Sequence, residues 1–260
     1  MWRLPRHWPE YLSEACCLAL FMVSATSCAL LLQLPASPLA GWTSSPLVAR
    51  VPMGLAMGLT AAALVYSPMG RQSGAHMNPA VTLTFLRLGK IAPADAAAYV
   101  LAQFVGGVAG VAVTLPLFHG LPGDAAVNYV ATTPGAAGQA AAFGGEFVIS
   151  CLLMITVLLV SASRRLARFT GVAAAMLVAL FIVVEAPLSG MSMNPARTFG
   201  SALFAHSPAL WIYFTAPPLG MLAGAEVFLR TTRHAIVRCA KLHHPSGVRC
   251  IFHCHYMETA

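Results

Sequence analysis

Six stretches of this chain are long and apolar enough to cross a bilayer, and that pattern limits the possible folds more than any other feature. A spanning helix needs about 20 mostly apolar residues. Residues 12–32, 47–68, 94–118, 140–160, 169–187 and 210–229 each meet that requirement. None of them alternates apolar and polar residues with a period of two, which excludes a transmembrane β-barrel. Only 9% of the residues are charged, too few to clothe a soluble domain. The same numbers exclude a disordered chain and a disulfide scaffold. The first stretch is too long for a signal peptide, carries Glu14, and is followed by no small-residue cleavage site. The sequence therefore predicts an all-α membrane protein with six transmembrane helices.

Basic residues fix its orientation. Arg3 and Arg6 precede the first span, and Arg71, Arg87 and Lys90 lie between spans two and three. Arg164, Arg165 and Arg168 lie between spans four and five, and Arg230, Arg233, Arg238, Lys241 and Arg249 follow span six. These thirteen of the fifteen Lys and Arg residues fall on one side, which is assigned to the cytoplasm together with both termini. Arg50 and Arg197 fall on the other. The net charge of +7 is thus a topology signal and not a nucleic-acid footprint.

The chain also repeats itself. Residues 73–82 and 189–198 agree at seven of ten positions, 116 residues apart. Each copy sits between the second and third span of its half. An odd number of spans per half makes the halves enter the membrane in opposite senses, which is an inverted repeat. Asn is a strong helix N-cap and Pro suits the first helical position. Asn78-Pro79 and Asn194-Pro195 therefore read as helix starts. The apolar stretches that follow, 81–88 and 198–204, are too short to span, so each reads as a half-helix dipping in from one face. The Ser-Gly runs before them read as extended chain. Non-helical backbone at membrane depth is tolerated only inside protein or along a water-filled cavity. Two such segments in one bundle indicate a pore.

On these residues the chain resembles the aquaporin, or major intrinsic protein, family. The resemblance rests on the two boxes Asn78-Pro79-Ala80 and Asn194-Pro195-Ala196, the Ser73-Gly74-Ala75-His76 lead-in, Arg197, and the paired Glu14 and Glu146. It covers roughly residues 10–230. It implies six spans plus two re-entrant half-helices, a homotetramer with one pore per protomer, and passive conduction of water. Permeability to small neutral solutes (glycerol, urea, hydrogen peroxide) with exclusion of ions and protons follows from the same likeness. Asn78 and Asn194 would donate to a passing oxygen, at helix N-termini that each carry about half a positive charge. Carbonyls of Gly74, Ala75, His76, Gly190, Met191 and Ser192 would line the approach as acceptors. Glu14 and Glu146 would hold backbone N–H groups of the re-entrant loops. Alignment to the family places an outer filter at Met57, Ile182, Met191 and Arg197, with Gly58 in place of Met57 if no gap is allowed. Strict water channels of the family carry His where Ile182 stands, whereas glycerol-conducting members carry Asp where Thr198 stands. The preferred solute therefore stays open. So do a proton-coupled transporter using Glu14 or Glu185 and a non-conducting scaffold of the same fold.

Other residues carry weaker signals. Glu185, nine residues before Asn194, is expected to face the outer vestibule, and Glu226 is placed to pair with Arg230 at i+4. His76 reads as a packed loop histidine. No nucleotide-binding or catalytic-triad motif is present, so no enzyme is expected. Channel domain 1–230 (halves 11–119 and 137–230) is followed by a basic tail, 231–260, rich in Cys and His. There Cys239, His243, His244, Cys250 and Cys254, with His253 and His255 nearby, have the composition of a metal site but not a usual zinc spacing. No other cofactor is expected. The short loops suggest a bacterial inner membrane.

Overall fold

The computed structural model describes residues 7–254 apart from Pro208, 233–235 and Ser246. Arg3, Arg6, Arg233 and His255, used in the topology and tail readings, lie outside the described residues. Among the described residues there are ten α-helices and no strand. They are α1 (Trp8–Gln33), α2 (Pro46–Tyr66), α3 (Pro68–Ser73), α4 (Pro79–Arg87), α5 (Pro93–Leu117), α6 (Gly138–Ala162), α7 (Thr170–Val184), α8 (Ala186–Ser189), α9 (Pro195–Ala202) and α10 (Leu210–Thr231).

Six of these are long and apolar enough to span a membrane: α1, α2, α5, α6, α7 and α10, with α7 extended at its start by the 3-10 turn Ala167–Phe169. The fifth span is shorter than the expected 169–187. It stops at Val184, and the chain passes through Glu185 into the separate short helix α8. Pro187 has no N–H to bond the carbonyl of Val183 and its ring crowds it, which ends α7 at this point.

The second half repeats the first, α1 to α6 and so on to α5 and α10. Accordingly α1 packs on α5 as α6 packs on α10, while α2 and α7 pack on each other across the two halves. The glycines of the sequence mark these seams. A Cβ on Gly107 of α5 would lie 2.5 Å from the carbonyl oxygen of Ala196 in α9, and one on Gly200 would lie 2.5 Å from the Gly107 backbone. Both obstacles are main chain and cannot rotate away. Overpacking of this kind typically costs about 1–3 kcal/mol. Gly107→Val is therefore expected to lower the thermal midpoint measured by size-exclusion chromatography in detergent. An unchanged midpoint would show that α5 and α9 are not in register here.

Candidate functional site

The half-helices begin as their sequences require. Asn78 and Asn194 are extended residues at the N-caps of α4 and α9, and each is followed by Pro at the first helical position. Asn78 Oδ1 accepts from Ala80 N at 2.9 Å. Asn194 Oδ1 accepts from Ala196 N at 3.1 Å and Arg197 N at 3.2 Å. With 9 and 8 residues at 1.5 Å per residue, α4 and α9 are roughly 13 and 12 Å long, each under half a bilayer's apolar thickness.

The lead-in segments are not simply extended. A short helix comes first, α3 or α8, ending at Gly74 or Gly190 in the left-handed region with φ of +94° and +80°. The loop then carries two non-glycine residues at positive φ in matching positions: Ala75 and Met77 in one half, Met191 and Met193 in the other. Such conformations cost of order 1–3 kcal/mol each and persist only where their surroundings hold them. Helix α3 did have a sequence signal, since Ser67 caps it by accepting from Gly70 N and Pro68 opens it.

Two buried carboxylates hold the loops. Glu14 of α1 accepts from His76 N (2.9 Å) and Ser73 Oγ (2.7 Å) on one oxygen, and from Met77 N (2.6 Å) and Gln103 Nε2 (2.9 Å) on the other. Glu146 of α6 accepts from Ser192 N (2.6 Å), Ser189 Oγ (2.8 Å) and Met193 N (2.7 Å). Both are fully buried. Tyr99 and Tyr213 occupy equivalent places, their hydroxyls donating to the carbonyls of Ser73 and Ser189.

The halves are also bonded directly to each other. Asn78 Nδ2 donates to Met193 O and Asn194 Nδ2 donates to Met77 O, both at 2.7 Å. Each Asn therefore divides its amide group between the opposite loop and the donor role expected from the sequence. One hydrogen of each crosses to the opposite loop, and one remains.

A cavity of about 510 Å³ runs past both Asn side chains. Met57, Ile182, Met191 and Arg197 all line it, and so do Ala75, His76, Gly190 and Ser192. Gly58 does not. A Cβ there would meet the Ala175 carbonyl of α7 at 2.8 Å, so it packs on that helix. Gly74, expected on the lining, is also not part of it. Its carbonyl accepts from Leu242 N of the tail at 3.1 Å. Among the described residues no protein donor reaches the carbonyls of Ala75, His76, Met191 or Ser192. Arg197 Nη1 is buried and has no acceptor among the described residues. Ile182, Met57 and Met191 are the apolar members of the four residues expected at the outer filter. Arg50, whose Nε donates to Val183 O at 2.8 Å, lines the cavity as well and was not singled out by the sequence.

The remaining acids lie elsewhere. Glu185 is buried with Oε2 accepting from Ser189 Oγ, and its Oε1 stands where a Cβ on Gly145 would be. It supports α8 and does not line the cavity. Glu226 pairs with Arg87 Nη2 at 2.7 Å and not with Arg230. Arg87 closes α4, 139 residues away, a contact that helix spacing cannot reveal.

The tail folds back under this site. His76 is buried, stacked between Phe85 (5.1 Å) and Phe252 (5.4 Å), with Nε2 bonded to Ala240 O at 2.9 Å and Nδ1 to Thr82 Oγ1 at 3.0 Å. Cys239, His244, Cys250 and Cys254 converge, their ligand atoms all within 4.8 Å of one another. His243 does not join them. Its ring lies edge-on against Tyr66 at 4.7 Å. The His253 ring is bonded to Gly89 O. The hydrogen-bonded contact with Cys239 holds the Cys250 sulfur well below the ordinary thiol range, and it raises Cys239, as does burial.

Comparison with known proteins agrees with this geometry. The Major intrinsic protein family matches residues 1–228. A probable aquaporin NIP-type of Nicotiana alata is 37% identical over 189 residues, 71% of this chain and 67% of its own length. Aquaporin NIP1-1 of Arabidopsis thaliana is 36% identical over 182 residues, 68% of this chain and 60% of its own. The chain thus spans roughly three fifths to two thirds of these relatives. The X-ray structure of the aquaglyceroporin from Plasmodium falciparum shares the fold, with a TM-score of 0.69 at 20% identity, covering 89% of this chain and 98% of that one. The chain is an integral membrane protein by its six spans and its family. The relatives named here are plant proteins and lend no support to a bacterial inner membrane.

Proposed function

The chain belongs to the major intrinsic protein family, and on that premise we propose that it is a passive channel for water and small neutral solutes that excludes ions and protons. One observation carries this reading. Asn78, Asn194 and Arg197 line a single cavity, and each keeps at least one N–H donor that no group among the described residues uses. Two half-helix N-termini add their partial positive charges at the Asn pair. A neutral oxygen is welcomed there as an acceptor, whereas a cation meets only positive potential. Carbonyls of Ala75, His76, Met191 and Ser192 accept from the other end of the same molecule. No catalysis is required, because flow follows the gradient.

Proton coupling through Glu14 or Glu185 has less support. No Asp or Glu is among the described residues lining the cavity, and both oxygens of Glu14 are taken by loop donors. The outer constriction of Met57, Ile182 and Met191 around Arg197 is apolar, which favours solutes larger and greasier than water. The resemblance further supports a homotetramer with a pore in each protomer, residues 1–230 forming the channel and 231–260 the cytoplasmic tail.

Stopped-flow light scattering on proteoliposomes tests the proposal. A sucrose shock is expected to shrink the vesicles faster than empty ones, and a glycerol gradient to reswell them. Rates equal to empty liposomes for folded protein, with the tail removed as well as present, would refute a channel.

A further inference from the structure

We propose that Cys239, His244, Cys250 and Cys254 bind one zinc ion, and that this metal fastens the tail as a plug across the cytoplasmic mouth of the cavity. The donor set is three thiols and an imidazole, which selects zinc among the common divalent ions, and four such ligands make a closed structural site. The geometry is near that of the occupied site. With Zn–S of about 2.3 Å, a regular tetrahedron has sulfur–sulfur edges of roughly 3.8 Å. Cys239 Sγ and Cys250 Sγ are 3.5 Å apart, Cys254 Sγ and His244 Nε2 are 3.3 Å apart, and the widest separation in the group is 4.8 Å. The ligands come from four separated points of the tail, spaced by four, five and three intervening residues. Local sequence alone has no reason to bring them together. The surroundings suit the product too. Three thiolates around a dication carry a net charge of −1, and Lys241 and Arg249 flank the cluster in sequence. The cytoplasmic side assigned by the basic residues keeps thiols reduced.

What the cluster would fasten is visible in the same contacts. Leu242 lines the cavity, and its N–H donates to Gly74 O. The Ala240 carbonyl is bonded to His76, and Phe252 covers the His76 ring. Lys241 Nζ donates to Arg71 O and Arg249 O, both at 2.7 Å, tying two segments of the tail to α3. Arg249 Nε lies 3.7 Å from Glu10 of α1, and His253 N donates to Lys90 O. Cys239 and Cys250 immediately flank this plug, so a metal bridging them closes the loop that presents Leu242. Removing the metal leaves the segment held only by these hydrogen bonds and by the packing of Ala240, Leu242 and Phe252 on the helices above.

Metal content and permeability separate the parts of the proposal. Full-length protein purified under reducing conditions without chelator is expected to hold about one zinc per chain by atomic emission. Cobalt exchange should give the intense thiolate-to-cobalt charge-transfer and tetrahedral d–d bands of a sulfur-rich site. The Cys250→Ser/Cys254→Ser variant should lose both, and Cys151→Ser, in α6, should keep both. Chelation of native protein in proteoliposomes should raise water permeability several-fold, and added zinc should reverse it. Zinc well below one per chain, or a Cys239–Cys250 disulfide found by mass spectrometry in the reduced preparation, would overturn the site. Full zinc occupancy with chelation leaving a measurable permeability unchanged would overturn the plug. The permeability arm rests on the channel reading: full occupancy with no flux in native, chelated or variant protein would count against that reading and leave the metal site standing.

Discussion

Glu146→Ala is expected to leave almost no folded protein. The substitution strips the acceptor from Ser192 N and Met193 N and leaves Ser189 Oγ only Glu185 Oε2. Each buried donor left unsatisfied costs about 1–3 kcal/mol, so the two together reach roughly 2–6 kcal/mol. That is a large share of the whole stability of an ordinary domain, about 5–15 kcal/mol. The loop also holds Met191 and Met193 at positive φ, and without the carboxylate nothing offsets that strain. Glu146→Gln keeps one acceptor but turns an amide N–H toward other donors, so it should fall between. Glu226→Ala breaks only an exposed ion pair, worth about 0–1 kcal/mol, and serves as the control. Thermal size-exclusion chromatography in detergent ranks the three. A Glu146→Ala midpoint matching that of Glu226→Ala would mean that Glu146 does not hold the loop.

Arg197→Val should leave a folded protein that leaks cations. Arg197 shares the cavity with Ile182, Met57 and Met191, and among the described residues its Nη1 has no acceptor. A monovalent cation about 4 Å from the guanidinium, at an effective dielectric constant of about 20, is repelled by about 4 kcal/mol. At 1.36 kcal/mol per factor of ten, removing the charge should raise proton or sodium leak by up to roughly a thousandfold. The positive ends of α4 and α9 remain and keep the rise below that ceiling. Water, being neutral, should change far less, and bulkier solutes such as glycerol should pass faster through the widened gap. Arg197→Lys should preserve cation exclusion. A pH-sensitive dye inside proteoliposomes reads the proton leak. If Arg197→Val is as proton-tight as the native protein, exclusion resides wholly at the Asn pair.

Much of this site was written into the chain locally. Asn-Pro is a cap followed by a first helical position, and the structure starts α4 and α9 there. An embedded acid at matching places in two inverted halves has few roles other than holding equivalent backbone, and Glu14 and Glu146 do so. The six spans followed from length and composition, because the bilayer imposes a minimum length on any apolar helix. What stayed hidden depends on contacts between distant segments. The crossing bonds of Asn78 and Asn194 join residues 115 and 117 positions apart. The partner of Glu226 sits on α4 and not one turn along its own helix. Gly74 reads as pore lining until Leu242 arrives from the tail to take its carbonyl. The alignment left Met57 and Gly58 undecided, and the choice turned on which of two adjacent residues α7 packs against.

The crossed amide bonds also set a timetable for the protein's birth. Met77 O and Asn78 Nδ2 have their partners in a segment made more than a hundred residues later. At about 5–20 residues per second, the first re-entrant loop must wait roughly 6–25 seconds before the second half emerges. During that interval Glu14, with Tyr99 and Thr82 of the same half, secures it. The first three spans are therefore inserted as a half-built body whose inner seam is still unbonded, and membrane insertion is complete before the pore exists. The last groups to engage close the seam from both sides in one step.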